Sequence, residues 1–213
     1  ELMRRLRSPE SSQFVSALLL AAPYAGWDLM IDVAGEIPSV PFLKMTTRVM
    51  DLFGVAVVEQ YKPDGAQFIV ETPQRYSGRD LTIEPDATNA MYFFSAAAIA
   101  GGRVTVEDLG VESLQGDVRF VDILERMGCR IERSTSNLTV EGPPAGQPLR
   151  GVDVSLKDMP DTAQTLAVIA LFAQTPTCIR GIGNLRIKET DRLSALSLEL
   201  TRLGAVVEEG MDA

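Results

Sequence analysis

The 213-residue chain has no histidine, two cysteines and one tryptophan. Without histidine, a Ser-His-Asp triad and any His-bearing metal site are excluded, so Asp, Glu, Lys or a bound substrate must carry any proton transfer. Cys129 and Cys178 cannot build a disulfide framework, and neither sits in a paired metal-ligand spacing. Both read as small buried residues in a reducing compartment. No apolar run reaches the roughly 18 to 20 residues of a membrane helix, and the start ELMRRLRSPESSQ lacks the apolar middle of a secretory signal. Basic charge is scarce too. Lys and Arg number 20 against 29 Asp and Glu, a net charge of −9, which argues against nucleic acid or an anionic membrane as the main partner. Any anion must be held locally. Walker loops and dinucleotide fingerprints are also missing.

What the chain does contain is internal self-similarity. The segments MDLFGVAVVEQ (50–60), LERMGCRIERS (124–134) and LTRLGAVVEEG (200–210) each end an amphipathic helix at a glycine and start a strand at once. Gly54, Gly128 and Gly204 fit the left-handed cap that a side chain disfavours. A second landmark recurs at the same interval: SSQFVSALLLAA from Ser11, ATNAMYFFSAAAIA from Ala87 and DTAQTLAVIALFA from Asp161. Each opens with small polar capping residues and continues almost uniformly apolar, the pattern of a helix buried on all sides. The other helix of each unit carries a stripe: Phe42, Met45, Val49, Leu52 and Phe53; Val121, Leu124 and Met127; Leu193, Leu196, Leu200 and Leu203. Strands are expected at 29–35, 66–72, 80–86, 103–110, 137–142, 151–158 and 177–183. The first helix opens near residue 11 with no strand of its own before it. The unit is βαβαββ, with helices inside and sheets outside, and a domain boundary is expected near residues 80–86.

The richest chemical cluster is Asn184-Leu185-Arg186-Ile187-Lys188-Glu189-Thr190-Asp191-Arg192. Lys188 and Arg192 share a helical face if the helix has begun. Either Glu189 and Asp191 neutralise them in a surface turn, or both cations grip a phosphate or carboxylate while the acids orient it or transfer protons. Ser11, Ser12 and Gln13 open a helix whose free amides suit an anion, or simply cap it. Asp161 holds the equivalent position in the third unit, with Gln164 at capping-box spacing. Glu84 and Asp86 read as turn and cap residues.

SSQF at 11–14, EPDATNAMYF at 84–93, QGDVRF at 115–120, MPDTAQT at 159–165 and NLRIKETDRL at 184–193 closely resemble the 5-enolpyruvylshikimate-3-phosphate synthase family. Order and spacing match over nearly the whole chain, and the KETDR run is highly specific. The resemblance implies an α/β fold, an inside-out barrel of repeated βαβαββ units, here partial. It implies transfer of the enolpyruvyl group of phosphoenolpyruvate to the 5-hydroxyl of shikimate 3-phosphate, with release of phosphate and with neither metal nor organic cofactor. Ser11, Ser12 and Gln13 then resemble the clamp on the shikimate phosphate, Gln13 also lying near phosphoenolpyruvate, and Ser39 another phosphate contact. Asp161 resembles the base at the hydroxyl, Asn184 and Lys188 ligands of the shikimate moiety, Glu189 the acid near the methylene and Arg192 the cation on phosphoenolpyruvate. Lys188 is grouped with Asp161 and Glu189 as catalytic.

The departures are Phe42, where the family often has tyrosine, and SPE at 8–10, where it usually has a glycine-containing turn. The family's N-terminal lysine and serine motif, glycine-rich loop and C-terminal basic segments are missing. The resemblance therefore implies about half of an enzyme, with residues 1–83 the last unit of the first globe and 84–213 about two units of the second. It also implies a cytoplasmic protein, monomeric at full length, that binds its two small substrates but no nucleic acid or membrane. The alternatives are a UDP-N-acetylglucosamine enolpyruvyl transferase and a non-catalytic repeat scaffold.

Overall fold

The computed structural model describes residues 2–7, 11–144 and 146–213; the SPE departure at 8–10 lies outside the described residues. The chain divides into two compact units, Glu1–Thr82 and Ile83–Ala213.

The first unit runs β1 (Leu2–Arg7), α1 (Gln13–Ala21), β2 (Leu29–Ala34), α2 (Val40–Leu52), β3 (Val58–Lys62) and β4 (Gly65–Val70). Its sheet has the order β1-β2-β4-β3. β1 pairs parallel with β2, so a crossover helix must join them, and α1 is that crossover. The remaining pairs are antiparallel. At the β3–β4 turn, Gly65 (φ +151°) lies against β2, where an added Cβ would fall 2.0 Å from the Val33 carbonyl oxygen. Only glycine permits that approach. β2 and β4 alternate buried and half-buried residues, which places Ile31, Val33, Phe68 and Val70 in one cluster with Val15 and Leu19 of α1 and Leu43 and Met50 of α2.

Two expectations for this unit fail. A strand does precede the first helix: LMRRLR has three arginines in six residues and little apolar alternation, and pairing with β2 makes it a strand. The buried line of α2 is Leu43, Thr47 and Met50, not the Phe42–Phe53 stripe. A hydrophobicity count passes over Thr47, yet its hydroxyl donates to the Lys44 carbonyl (3.1 Å) and so satisfies itself inside.

The second unit runs α3 (Ala87–Ala100), β5 (Arg103–Glu107), α4 (Phe120–Met127), β6 (Arg130–Arg133), β7 (Asn137–Glu141), β8 (Asp153–Ser155), α5 (Ala163–Ala170), β9 (Cys178–Arg180) and α6 (Arg192–Arg202). β5-β7-β6 form an antiparallel sheet, and β8 and β9 a parallel pair. Phe94, Phe120, Leu124, Met127, Leu138, Leu156 and Leu166 belong to one core cluster. Tight turns at Gly116–Arg119, Pro160–Thr162 and Gly183–Ile187 lead toward α4, α5 and α6 respectively, and the last two carry the candidate chemistry. Gly54, Gly128 and Gly204 all take positive φ (+86°, +113° and +93°) just past helix ends, as the repeat demands.

Residues 80–86 and the stretch after Gly204 hold no strand, against expectation. A strand needs a neighbour for its amides and carbonyls, and neither segment pairs with one among the described residues. The uniformly apolar helices are not buried all round either. α1 buries Val15 and Leu19 but exposes Phe14, Leu18 and Leu20, and α3 exposes Tyr92 and Phe93. Each packs on its own unit through one face, and the apolar composition of the other face says only that it is able to be buried. Cys129 is buried and its thiol is pushed up to about 11 by that burial, whereas Cys178 is only half-buried. No helix among the described residues is long and apolar enough to cross a membrane.

Leu124 is fully buried and Leu203, the last member of the α6 stripe, is 74% exposed. Leu124→Ala should therefore destabilise the chain by about 2–5 kcal/mol and Leu203→Ala by less than about 0.5 kcal/mol, as read by urea denaturation.

Candidate active site

Asp161 lies in the turn that joins β8 to α5. The expected capping box does not form: Thr162 is the N-cap of α5 without a side-chain cap bond, and its hydroxyl donates back to the Met159 carbonyl (2.7 Å). Asp161 turns elsewhere, and its Oδ1 accepts from Arg192 Nη1 at 2.8 Å. Asp86, the equivalent residue one repeat earlier, does cap, accepting from the amides of Thr88 (2.8 Å) and Asn89 (3.1 Å). One position of the repeat thus serves as a cap in one copy and is released to an ion pair in the next.

Arg192 is the first residue of α6, and Asp191 is its N-cap, accepting from the Ser194 amide at 3.0 Å. Lys188 precedes the helix in an extended conformation (φ −80°, ψ −155°). It therefore shares no helical face with Arg192, which corrects the spacing argument. Instead Arg192 grips Glu189 with two parallel bonds, Nε to Oε1 and Nη2 to Oε2, both 2.8 Å. A planar guanidinium provides that fork and an ammonium does not. The third donor goes to Asp161, so a single arginine joins the two acids that the sequence singles out. Its hydrogen bonds hold the Glu189 carboxyl below the usual carboxylate range, with the Lys188 charge adding a smaller pull. Asp191 is also held low, first by the Ser194 amide and then by Arg186.

Three buried side-chain oxygens in this unit have no hydrogen-bond partner among the described residues: Asn184 Oδ1, Gln164 Oε1 and Asp117 Oδ1. Asn184 was expected to bind a ligand; Gln164 and Asp117 were not. Asp117 is 5% exposed, and its Oδ2 accepts from the Thr88 hydroxyl at 2.6 Å. Burial pushes its carboxyl above the ordinary value, with Asp161 and Asp86 acting in the same direction. An acid in the first turn of a helix is ordinary, so nothing in QGDVRF distinguishes it. Glu84 accepts from the Leu114 amide (3.3 Å) and is a turn residue.

In the first unit, Ser11 Oγ accepts from the Gln13 amide (3.2 Å) at the start of α1, Ser12 is buried and Gln13 is exposed. Ser39 precedes α2 in the left-handed region (φ +55°, ψ +47°), a costly conformation for a residue with a side chain. Asp108 also takes a positive φ (+58°). Phe42 N–H donates to the Ser39 carbonyl at 3.0 Å, and the phenylalanine ring supplies no hydroxyl there. Among the described residues, no group of three His, Cys, Asp or Glu side chains could hold a metal ion.

Asp161, Glu189 and Arg192 joined at the start of α6, with Lys188 just before it and unpartnered acceptors on the turns 116–119 and 183–187 and on α5, can meet a ligand that carries both anionic groups and hydroxyls. The fold matches solved enolpyruvyl transferases. An EPSP synthase from Acinetobacter baumannii superimposes over 100% of this chain and 47% of its own, with TM-score 0.75 and 20% identity. The enolpyruvyl transferase NikO from Streptomyces tendae covers 79% of this chain and 39% of its own, with TM-score 0.60 and 19% identity. The profile of the EPSP synthase (3-phosphoshikimate 1-carboxyvinyltransferase) family matches residues 4–213, and the chain belongs to that family. It is 45% identical to the 3-phosphoshikimate 1-carboxyvinyltransferase of Nostoc punctiforme over 97% of its length and 47% of the relative's. The chloroplastic 3-phosphoshikimate 1-carboxyvinyltransferase of Arabidopsis thaliana is also 45% identical, over 98% of this chain and 41% of the relative. The chain spans less than half the length of these relatives.

Asp191 stabilises the fold through a depressed carboxyl, so its contribution is full above the ordinary value of 3.8 and is lost as pH falls through the lowered one. Asp191→Ala should lower Tm at pH 7, and the gap to the parent chain should narrow as the pH drops below 3.8. Thermal melts across that range check this.

Proposed function

We propose that this chain forms the central part of a 3-phosphoshikimate 1-carboxyvinyltransferase, which moves the enolpyruvyl group of phosphoenolpyruvate onto the 5-hydroxyl of shikimate 3-phosphate. The observation that carries the reading is the Arg192 fork, which draws together Asp161 and Glu189. In this reading residues 1–83 are the last unit of one globe and 84–213 about two units of the other. Ser11, Ser12, Gln13 and Ser39 bind the phosphate of the shikimate, and Asn184 and Lys188 bind its ring substituents.

The reaction needs a base at an alcohol, an acid at a methylene carbon and cations on the anionic groups. In the addition, the 5-oxygen bonds to C2 of phosphoenolpyruvate, its proton passes to Asp161, and Glu189 delivers a proton to C3. In the elimination, the C2–O bond to phosphate breaks and C3 returns its proton to Glu189. Phosphate departs, and the proton held by Asp161 leaves with it or to solvent. Arg192 meets the substrate carboxylate by giving up a protein carboxylate. The exchange also releases Glu189 from the guanidinium that keeps it ionised, which allows it to take up the proton it must deliver. This chemistry asks for no metal or organic cofactor, and the reading places the protein in the cytoplasm as a monomer at full length.

A chimera in which this chain replaces the matching 47% of the Nostoc punctiforme relative should release phosphate from the two substrates, while the 213-residue chain alone should not. In the chimera, Asp161→Ala should lower turnover by about 10²–10⁴ and leave shikimate 3-phosphate affinity within about tenfold. Turnover that survives the substitution would remove Asp161 from the chemistry. A parental chimera that prefers a UDP-sugar acceptor would shift the reading to the UDP-N-acetylglucosamine transferases, and a folded but inert one to a scaffold.

A further inference from the structure

Arg186 was not singled out as a functional residue, yet its side chain makes four hydrogen bonds among the described residues. Its side chain is 20% exposed. Nη1 donates to Asp191 Oδ2 (2.8 Å), Nη2 to Glu209 Oε1 (2.8 Å) and to the Gly210 carbonyl, and Nε to the Met211 carbonyl (3.1 Å). A guanidinium has five N–H groups in a rigid plane, and here four bonds use that plane to tie two segments together. One is the stretch that follows α6. The other is the turn before α6, through Asp191.

Asp191 spends its two oxygens on different tasks. Oδ2 is held by Arg186, and Oδ1 caps α6 at the Ser194 amide. The next residue is Arg192, whose fork reaches Glu189 and Asp161. A second tie secures the same turn from its other end. Asp212 accepts from the amides of Gly181 (3.1 Å) and Gly183 (2.7 Å), and its carbonyl accepts from the Ile182 amide (3.3 Å). Gly183 leaves room for this, since an added Cβ would come within 2.9 Å of Asp212 Oδ1. Residues 209–212 therefore strap residues 181–191 at both ends.

We propose that Arg186 is a positioning residue for the reaction, fixing Arg192 through Asp191 by anchoring the turn at 181–191 to the segment at 209–212. This rests on the reading of Asp161, Glu189 and Arg192 as the reacting set, and it adds the part of the chain that aims them. The planar fork is what matters: lysine in its place keeps the charge, but three donors on one compact ammonium cannot span the four acceptors that the guanidinium plane reaches.

The test compares Arg186→Lys with the parent. In the full 213-residue chain, exchange of the Arg192 Nε–H with water, followed by nitrogen-edited NMR, should speed up by at least about tenfold. The guanidinium of Arg133, paired with Asp122 and Glu125, should not change. An unchanged Arg192 in a folded Arg186→Lys chain overturns the proposal. If that variant loses the dispersed amide signals of the second unit, Glu209→Gln, which removes one charged partner and keeps the rest, must accelerate Arg192 exchange by about threefold or more; no acceleration likewise overturns it. In the Nostoc chimera, Arg186→Lys should lower kcat by about tenfold or more and move KM for shikimate 3-phosphate by less than about threefold. Equal loss in both, tracking Tm, would reduce Arg186 to a structural residue. An inert parental chimera would count against the transferase reading, and the exchange rate of Arg192 would still decide whether Arg186 positions it.

Discussion

One arginine and three carboxylates organise the second unit. Arg192 has five donors and satisfies Asp161 with one and Glu189 with two, while the neighbouring Asp191 caps the helix from which the arginine projects. Remove the arginine and Asp161 and Glu189 lose their shared partner, with Asp161 already close enough to the buried Asp117 to push its carboxyl up. A cation that already holds two protein carboxylates is poised to exchange one of them for a ligand carboxylate of similar geometry. On the transferase reading, the pairing that holds the resting arrangement is also the one a substrate carboxylate competes with.

The repeat explains how such a site arises without a dedicated scaffold. Ser11, Asp86 and Asp161 stand at the same point of successive units, each beside the opening of an apolar helix. Asp86 spends its carboxylate on the amides of α3. Asp161 does not, because the turn Pro160–Thr162 carries the chain into α5 with the threonine as cap, and an arginine from the following amphipathic helix collects the freed carboxylate. Copies of one motif reach different ends through which partner lies within hydrogen-bond reach. The unpartnered oxygens of Asp117, Gln164 and Asn184 mark where this unit leaves acceptors unmet, and buried acceptors without donors are costly unless a ligand supplies them.

Much of this was legible in the residues. The 74- to 76-residue period, the glycine caps at Gly54, Gly128 and Gly204, and the pairing of an apolar with an amphipathic helix all follow from local rules: handedness at a cap, and periodicity of apolar side chains. The KETDR run stood out through its density of charge, which the sequence left open between a surface turn neutralised by Glu189 and Asp191 and a grip on an anion. What local rules could not supply was partnership. LMRRLR looks like no strand until β2 lies beside it, DLTIEPD looks like one and pairs with no strand among the described residues, and Thr47 is buried because its hydroxyl finds a carbonyl of its own helix.

Sequence alone therefore determined the repeat, the class of fold and the short list of acids and cations, because each depends on residues within a few positions of one another or on a period along the chain. Tertiary structure decided how those groups are used. Spacing paired Lys188 with Arg192, whereas the extended backbone at Lys188 separates them and gives Arg192 to Glu189 and Asp161, the latter 31 residues away. Arg186 and Asp117 gained their places only when the chain folded back on itself, since a guanidinium shows its four bonds, and a carboxyl its missing one, only once distant segments have been brought within about 3 Å.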